Sequence, residues 1–525
     1  MQYRNRFFYS CLLVSVVFLI TRLPYYIHYP VFIISNDTAS YIAAALQILE
    51  NSWPMFDIRT PGYPFFIAAM LMLSHDLIYL SLAQSIVTYL SSIFFLFIAY
   101  RYYPKRIIYF AIAICGFISS VYYIVLEMSI LTEGIFTSTL LIAGGVLILA
   151  VKSEKVIPWV VFSILAAILI YIRPAGLFIV ALVVPLVIFF IVNKYPYKFY
   201  AGLIAPFSLI IGMLCLYNYQ TLGKFTITPF GEANLAGVTV LFMEPSESYP
   251  EFVNIAIQTT LDSIPRSEKN IVRKSYNPKR LFTAFMDNFH MQMHLVNNMK
   301  KSDSTFTYLK AQPFLRQISI DAIRKHPDIY AKFFLCNFYY FFTNIGRSVE
   351  YSSQLERKYE QVYVDSIYIK PLNSSNWNQI SDNKEVLEKV KLLFLQKMSD
   401  KESLTGIRTD SEGNINLDDT YLLRLYDLWN SLYEFLFRNF LWLISFGLML
   451  YYSIMILIRT RFTDKDAFIA LTFSLIFIFK ALLVSIVESS LERYSYTVEF
   501  VLYISLPFVL ILFSKLKEIK TIKKA

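Results

Sequence analysis

Charge is scarce in this chain. Only 16% of its 525 residues are Asp, Glu, Lys or Arg, against roughly 25% in ordinary soluble domains. Hydrophobic residues make up 56%, and the mean hydropathy is +0.49. A soluble globule could not hide that much apolar surface, which excludes a string of soluble domains of about 150 residues each. Glycine and proline are few (15 and 20), so the chain is neither collagen-like nor a linker. The 4 cysteines give no disulfide framework. Cys11, Cys115 and Cys215 lie in apolar runs, where cysteine behaves as a small hydrophobe, and Cys336 stands alone in a long polar region. No C-x-x-C occurs, so neither a zinc site nor a redox motif is indicated. Gly-x-Ser-x-Gly and Walker-type glycine loops are also missing.

What the chain has instead is long apolar runs. Ten are read, at about 7–27, 77–100, 107–126, 130–151, 157–172, 175–193, 199–217, 436–458, 466–487 and 496–514. A hydrocarbon core about 30 Å thick needs about 20 such residues per helix. The first run has the charge pattern of a signal peptide, with Arg4 and Arg6 before it. It is followed by Leu23-Pro24-Tyr25-Tyr26 rather than a small-x-small cleavage site, and is therefore read as a retained helix.

Lysine and arginine set the orientation. One set of loops carries Arg4, Arg6, Arg101, Lys105, Arg106, Lys152, Lys155, Lys194, Lys198, Arg459, Arg461, Lys465, Lys515, Lys517, Lys520, Lys523 and Lys524. The short opposite loops carry Arg59, Arg173 and Arg493, with Arg22 near a helix end. Seventeen against four places both termini in the cytoplasm. The net charge of +10 is then a topology signal and not a nucleic-acid footprint.

Two segments face outside in this scheme, about 28–76 and about 218–435, and the second is long enough to fold as a domain. The expected division is 1–217, with seven spans and the outer loop 28–76; 218–435, an extracytoplasmic domain; and 436–525, with three spans and a cytoplasmic tail. Ile329–Ile345 is apolar enough to suggest an eleventh span, but one more crossing would break the parity of the lysines. It is expected to lie in the interface or against the membrane domain, after an amphipathic stretch, Gln312–His326, that stops at Pro327. The fold class is an α-helical polytopic membrane protein of about ten transmembrane helices with a mainly helical or mixed extracytoplasmic domain. The implied location is the bacterial inner membrane.

The first outer loop concentrates chemistry. Ser35-Asn36-Asp37-Thr38-Ala39-Ser40-Tyr41 opens a short apolar helix that Asp37 or Thr38 can cap. Next comes Asp57-Ile58-Arg59-Thr60-Pro61-Gly62-Tyr63-Pro64, a turn into a second apolar helix. An acid, three residues and a tyrosine after the first span, then Arg-x-Pro-x-Tyr-Pro some 20 residues on, resembles the GT-C glycosyltransferases. The nearest likeness is to bacterial relatives of protein O-mannosyltransferases and lipid A aminoarabinose transferases. It is sharpest over about residues 30–180. Many members carry an acidic pair after the first helix, where this chain has Asn36-Asp37 and a single carboxylate.

The resemblance implies a sugar transferase that uses a polyprenyl-phosphate donor on the outer side of the membrane. Asp37 matches the family's catalytic or donor-organising acid. Arg59 and Tyr63 match its motif near the donor phosphate, with Tyr41 beside them. Arg173 before Pro174 and Arg493 before Tyr494 match arginines the family often shows, and both are assigned to the phosphate. Glu133 resembles an acid that shapes the donor site or helps hold a metal, so a divalent metal is possible and no other cofactor is indicated.

The chemistry agrees with this on independent grounds. No nucleotide-sugar pool exists outside the membrane, so a donor there arrives on a lipid. An attacking hydroxyl needs a base, and a departing phosphate needs a cation, a role suited to the arginine fork. The acceptor is a surface glycan, a lipid or a protein, the other partners are membrane lipids, and nucleic acid is not expected.

Lys480 sits in mid-span and is open to pairing with an acid or to meeting a phosphate. Asp410–Asp419 looks like a calcium loop, but its glycine is misplaced and Tyr421 stands where the bidentate glutamate belongs. His290 and His294 lack the glutamate of a zinc hydrolase. Two rivals to the transferase are an O-antigen-polymerase-type enzyme, built on arginines of the large loop, and a lipid flippase or transporter. No two-halves repeat favours a transporter.

Overall fold

The computed structural model describes residues 2–28, 37–50, 59–74, 77–228, 231–302, 306, 308–343, 441–488 and 492–522, with the short stretches 408–409, 415–416 and 431–432. The protein is overwhelmingly helical in the described residues. A single two-stranded antiparallel ribbon pairs Arg408 with Asn416 and Thr409 with Ile415.

Among the described residues eight helices are long and apolar enough to cross a membrane, and the chain is a polytopic α-helical membrane protein. The long elements are α1 (Gln2–His28), α4 (Ile78–Tyr102), α7 (Glu133–Ser153), α10 (Tyr197–Leu222), α18 (Leu441–Arg459), α19 (Lys465–Val487) and α21 (Phe500–Ile522). The eighth candidate, Pro174–Val192, is composite: a 3-10 stretch, Pro174–Leu182, runs into α9 (Val183–Val192). Outward faces carry exposed large apolar side chains, such as Leu12, Val16 and Leu19 of α1 and Leu209, Met213 and Leu216 of α10. In water such a surface would be an aggregation site, whereas against lipid it is the correct solvent.

Two of the ten expected spans come out shorter. The run at 107–126 is broken into α5 (Ile107–Ile118) and α6 (Val121–Met128). Ser120 leaves helical geometry (φ −58°, ψ 113°) and its hydroxyl accepts from the Tyr123 amide, so the serine side chain starts a new helix instead of continuing the old one. The run at 157–172 becomes α8 (Val156–Ile172), of 17 residues. Its end is dictated locally. Arg173 precedes Pro174, a position that disfavours helical backbone, and it is extended (φ −155°, ψ 130°).

Residues 231–343 form a second packed unit in their described part. Helices α11 (Gly231–Thr239), α12 (Glu251–Ser263), α13 (Arg266–Lys274), α14 (Pro278–Asn288), α15 (Met291–Ser302), α16 (Tyr308–Lys325) and α17 (Pro327–Thr343) share a core that includes Phe242, Val253, Phe285, Leu295, Leu315 and Phe333. The stretch weighed as an eleventh span is α17, which packs on α19. Asn337 Nδ2 donates to Glu488 O at 3.0 Å and Tyr330 Oη donates to Ile486 O at 2.8 Å. Phe341 meets Phe477 edge to face, so α17 joins the core of the second unit to that of the long helices.

Candidate functional site

Three short elements lie at the ends of the long helices: α2 (Thr38–Leu49) and α3 (Gly62–Leu73) from the segment after α1, and α20 (Glu492–Tyr496) between α19 and α21. Two contacts fix their positions. Thr38 Oγ1 donates to Ile130 O at 3.1 Å, which ties the start of α2 to the α6–α7 turn. Gly62 lies against the end of α8 so closely that an added Cβ would meet the Tyr171 carbonyl and the Ile172 amide at 2.7 Å. Only glycine permits that approach. It sets Arg59, three residues before Gly62, beside Arg173, two residues after Tyr171.

The result is a cavity of about 700 Å³. Its wall on the membrane side holds Asp37, Tyr41, Arg59, Thr60, Thr132, Glu133, Arg173, Glu488 and Tyr494. Its roof is the second unit, with Asn234 of α11, Met286 of α14, Phe289 and His290 from the turn into α15, and Gln292 of α15 itself.

Two acid–arginine pairs face this space. Asp37 Oδ1 accepts from Arg59 Nη2 at 2.6 Å. Arg59 also donates through Nε to Ser40 Oγ at 2.8 Å, and its guanidinium lies 4.6 Å from the Tyr41 ring centre. Glu133 Oε1 accepts from Arg173 Nη1 at 2.5 Å, and the Arg173 guanidinium lies 4.5 Å from the Tyr494 ring centre. The pairs differ in burial. The Asp37 and Arg59 side chains are 24% and 23% exposed, while Glu133 and Arg173 are 1% and 11% exposed. A pair as open as the first is worth at most about 1 kcal/mol. Removing one partner of a pair as buried as the second costs about 3–5 kcal/mol, because the other is left charged and uncompensated. Burial pushes the Tyr41 phenol above its ordinary value, against the pull of Arg59.

The structure corrects several sequence expectations. Asp37 precedes α2, but its side chain makes no capping bond and turns to Arg59 instead. A charged guanidinium outcompetes a backbone amide for a carboxylate. Tyr63 does not reach the cavity. It is fully buried behind Tyr41, with ring centres 5.1 Å apart, and donates to Gln84 Oε1 at 2.9 Å. Lys480 is fully buried on α19 and pairs with no acid among the described residues. The Arg493 side chain and the calcium-like stretch 410–419, apart from 415–416, lie outside the described residues.

Glu127, six residues before Glu133, is fully buried. It accepts from Arg22 Nη2 at 2.9 Å and Nε at 3.2 Å, and from Ser85 Oγ at 2.5 Å, tying α1, α4 and α6 together away from the cavity. Nothing in the sequence pointed to Glu488, Asn234 or Gln292, whose types are common in loops and interfaces, and Tyr494 entered only as the neighbour of Arg493. His290 was noticed only as half of a histidine pair. Among the described residues no three His, Cys, Asp or Glu side chains gather as a metal site, and Glu133, the suggested metal ligand, holds Arg173.

Comparison with known protein families, with curated proteins and with solved structures finds no match to this chain. The class is therefore defined by what has been described: a polytopic helical membrane protein with a charged, roofed cavity at one end of its helices.

Proposed function

We propose that the chain is an inverting glycosyltransferase that moves a sugar from a polyprenyl-phosphate donor to an acceptor hydroxyl at the outer face of the bacterial inner membrane. The observation that carries this reading is the placement of two acids and two arginines around one cavity of about 700 Å³. The space suits a sugar and a phosphate, since ligand pockets are about 300–1,000 Å³. The cavity lies at the end of the bundle away from Lys152, Lys465 and Lys515. With α5–α6 and α8 counted as crossings, ten segments alternate in direction, the lysine-rich end is cytoplasmic and the cavity faces out.

In the reaction the acceptor oxygen attacks the anomeric carbon as the carbon–oxygen bond to phosphate breaks. That bond's electron pair leaves on the phosphate, and the hydroxyl proton passes to Asp37. Arg59 and Arg173 meet the developing phosphate charge. In the structure Asp37 holds Arg59. A phosphate that draws Arg59 toward itself loosens that hold, so donor binding readies the carboxylate. The roof residues face the acceptor, whether glycan, lipid or protein.

The test is release of polyprenyl phosphate, with sugar transferred to membrane acceptors, by purified protein given a panel of polyprenyl-phosphate sugars. Donor-dependent release supports the reading, and no release from any donor rejects it. A reporter fused after Lys274 is expected to read outside, and one after Lys105 inside. A cytoplasmic signal at Lys274 overturns the orientation.

A further inference from the structure

Lys480 is fully buried in α19, and its amine has no hydrogen-bond partner among the described residues. It rests against two rings, with Nζ 5.1 Å from the Phe136 centre and 5.6 Å from the Phe178 centre. Leu483 and Val484, one turn further along α19, line the cavity, as does Glu133, one turn before Phe136. The amine therefore lies directly beneath the cavity floor. Of the charged groups that act on it electrostatically, Arg173 opposes a charge on the amine while Glu488 and Glu133 favour one; Glu133 is engaged by Arg173 and Glu488 by the Tyr494 hydroxyl. A buried ammonium with three unmade hydrogen bonds is costly, and an apolar side chain of the same length would pack there without that cost.

We propose that Lys480 is the third cation of a phosphate seat at the cavity floor, approaching the group from below while Arg59 and Arg173 flank it. Its four-carbon stem extends along the helix by about one turn, roughly 5.4 Å, which carries the amine from the two rings to the floor. The ligand class is a phosphate oxyanion, borne by a prenyl lipid or free. The inference rests on the reading of the cavity as a lipid-phosphate site and adds the group that seats the phosphate.

The experiment measures binding of farnesyl phosphate, farnesol and inorganic phosphate to the purified full-length protein, comparing the parent with Lys480→Met, Lys480→Gln and Lys480→Arg. Loss of a hydrogen bond to a charged group predicts roughly tenfold to hundredfold weaker farnesyl phosphate binding by Lys480→Met. Farnesol binding is expected to be unchanged, Lys480→Arg to keep most of the affinity, and the melting temperature of Lys480→Met to equal or exceed the parent's. Should Lys480→Met fail to fold, Lys480→Gln is read in its place. Parent-like farnesyl phosphate binding by the neutral variant overturns the proposal, and so does an equal loss of farnesol binding, which would signal lost shape instead of lost charge. Lys480-dependent binding of inorganic phosphate alone keeps the seat and makes free phosphate its source. Lys480-dependent binding of farnesyl phosphate by a parent that transfers no sugar keeps the seat and refutes the transferase.

Discussion

The two ends of the helix bundle hold their charges differently. At the lysine-rich end, Asp466 is gripped by Lys152 and by Lys515, the latter at 2.6 Å. Lys515 also reaches Asp464 at 2.6 Å, and Tyr103 donates to Asp466 at 2.8 Å. These bonds join α4, α7, α19 and α21 in one network, so they act as a fastening. At the other end, Asp37–Arg59 and Glu133–Arg173 stand around open space. An incoming anion can exchange with a carboxylate there. The chemistry of the pairs is the same at both ends, and the presence of a cavity separates a tether from a site.

The comparison breaks most readily at Asp37. Asp37→Asn keeps the shape and an oxygen for Arg59 but removes the proposed base. Transfer per folded molecule is expected to fall by roughly two to four orders of magnitude, with little change in melting temperature because the pair is a quarter exposed. Near-parental transfer by a well-expressed variant takes Asp37 out of the chemistry.

Arg59→Lys is the next largest. It keeps the charge and loses the fork, so donor use should drop roughly tenfold to hundredfold. Donor binding measured apart from turnover decides the case. If both stay near parental, Arg59 only anchors the loop.

Gly62→Ala sharpens the link between packing and site. The new methyl must displace the Tyr171 backbone, at a cost of about 1–3 kcal/mol. Because Arg59 and Arg173 are both set by that contact, donor affinity should fall along with thermal stability. Loss of stability with full donor affinity would show that the arginines find their places without it.

The opposite end gives the smallest functional effect. Asp466→Asn weakens charged hydrogen bonds from Lys152 and Lys515 and should cost about 1.5–3 kcal/mol of stability. Transfer per folded molecule should stay within a factor of two or so, as expected of a substitution far from the reacting groups. A selective loss of turnover there would erase the distinction between tether and site.

Much of this arrangement is legible in the sequence, with gaps that have physical causes. Asp37, Arg59, Glu133 and Arg173 stand out because charge is rare near apolar runs, and rarity near a membrane marks cost. Their partners do not stand out. Arg59 lies 22 residues from Asp37, Arg173 lies 40 from Glu133, and Arg22 lies 105 from Glu127. Such pairings depend on how helices pack, which hydropathy does not record. Tyr63 was drawn into the site by its motif and turned away from it by Gln84. The break at Ser119-Ser120 was hidden because both halves are apolar and read as one run.

By itself the sequence determined that this is a helical membrane protein, where most of its long helices run, and which loops carry the lysines. These follow from local composition, since each apolar stretch must satisfy its own backbone within lipid whatever its neighbours do. Tertiary structure alone decided that the acids meet the arginines around a cavity, that α11, α14 and α15 roof it, and that Lys480 is buried with no hydrogen-bond partner among the described residues. Those outcomes rest on close approaches such as Gly62 on Tyr171 and Thr38 on Ile130. A contact between distant segments is set by the packing of both, and neither segment encodes it alone.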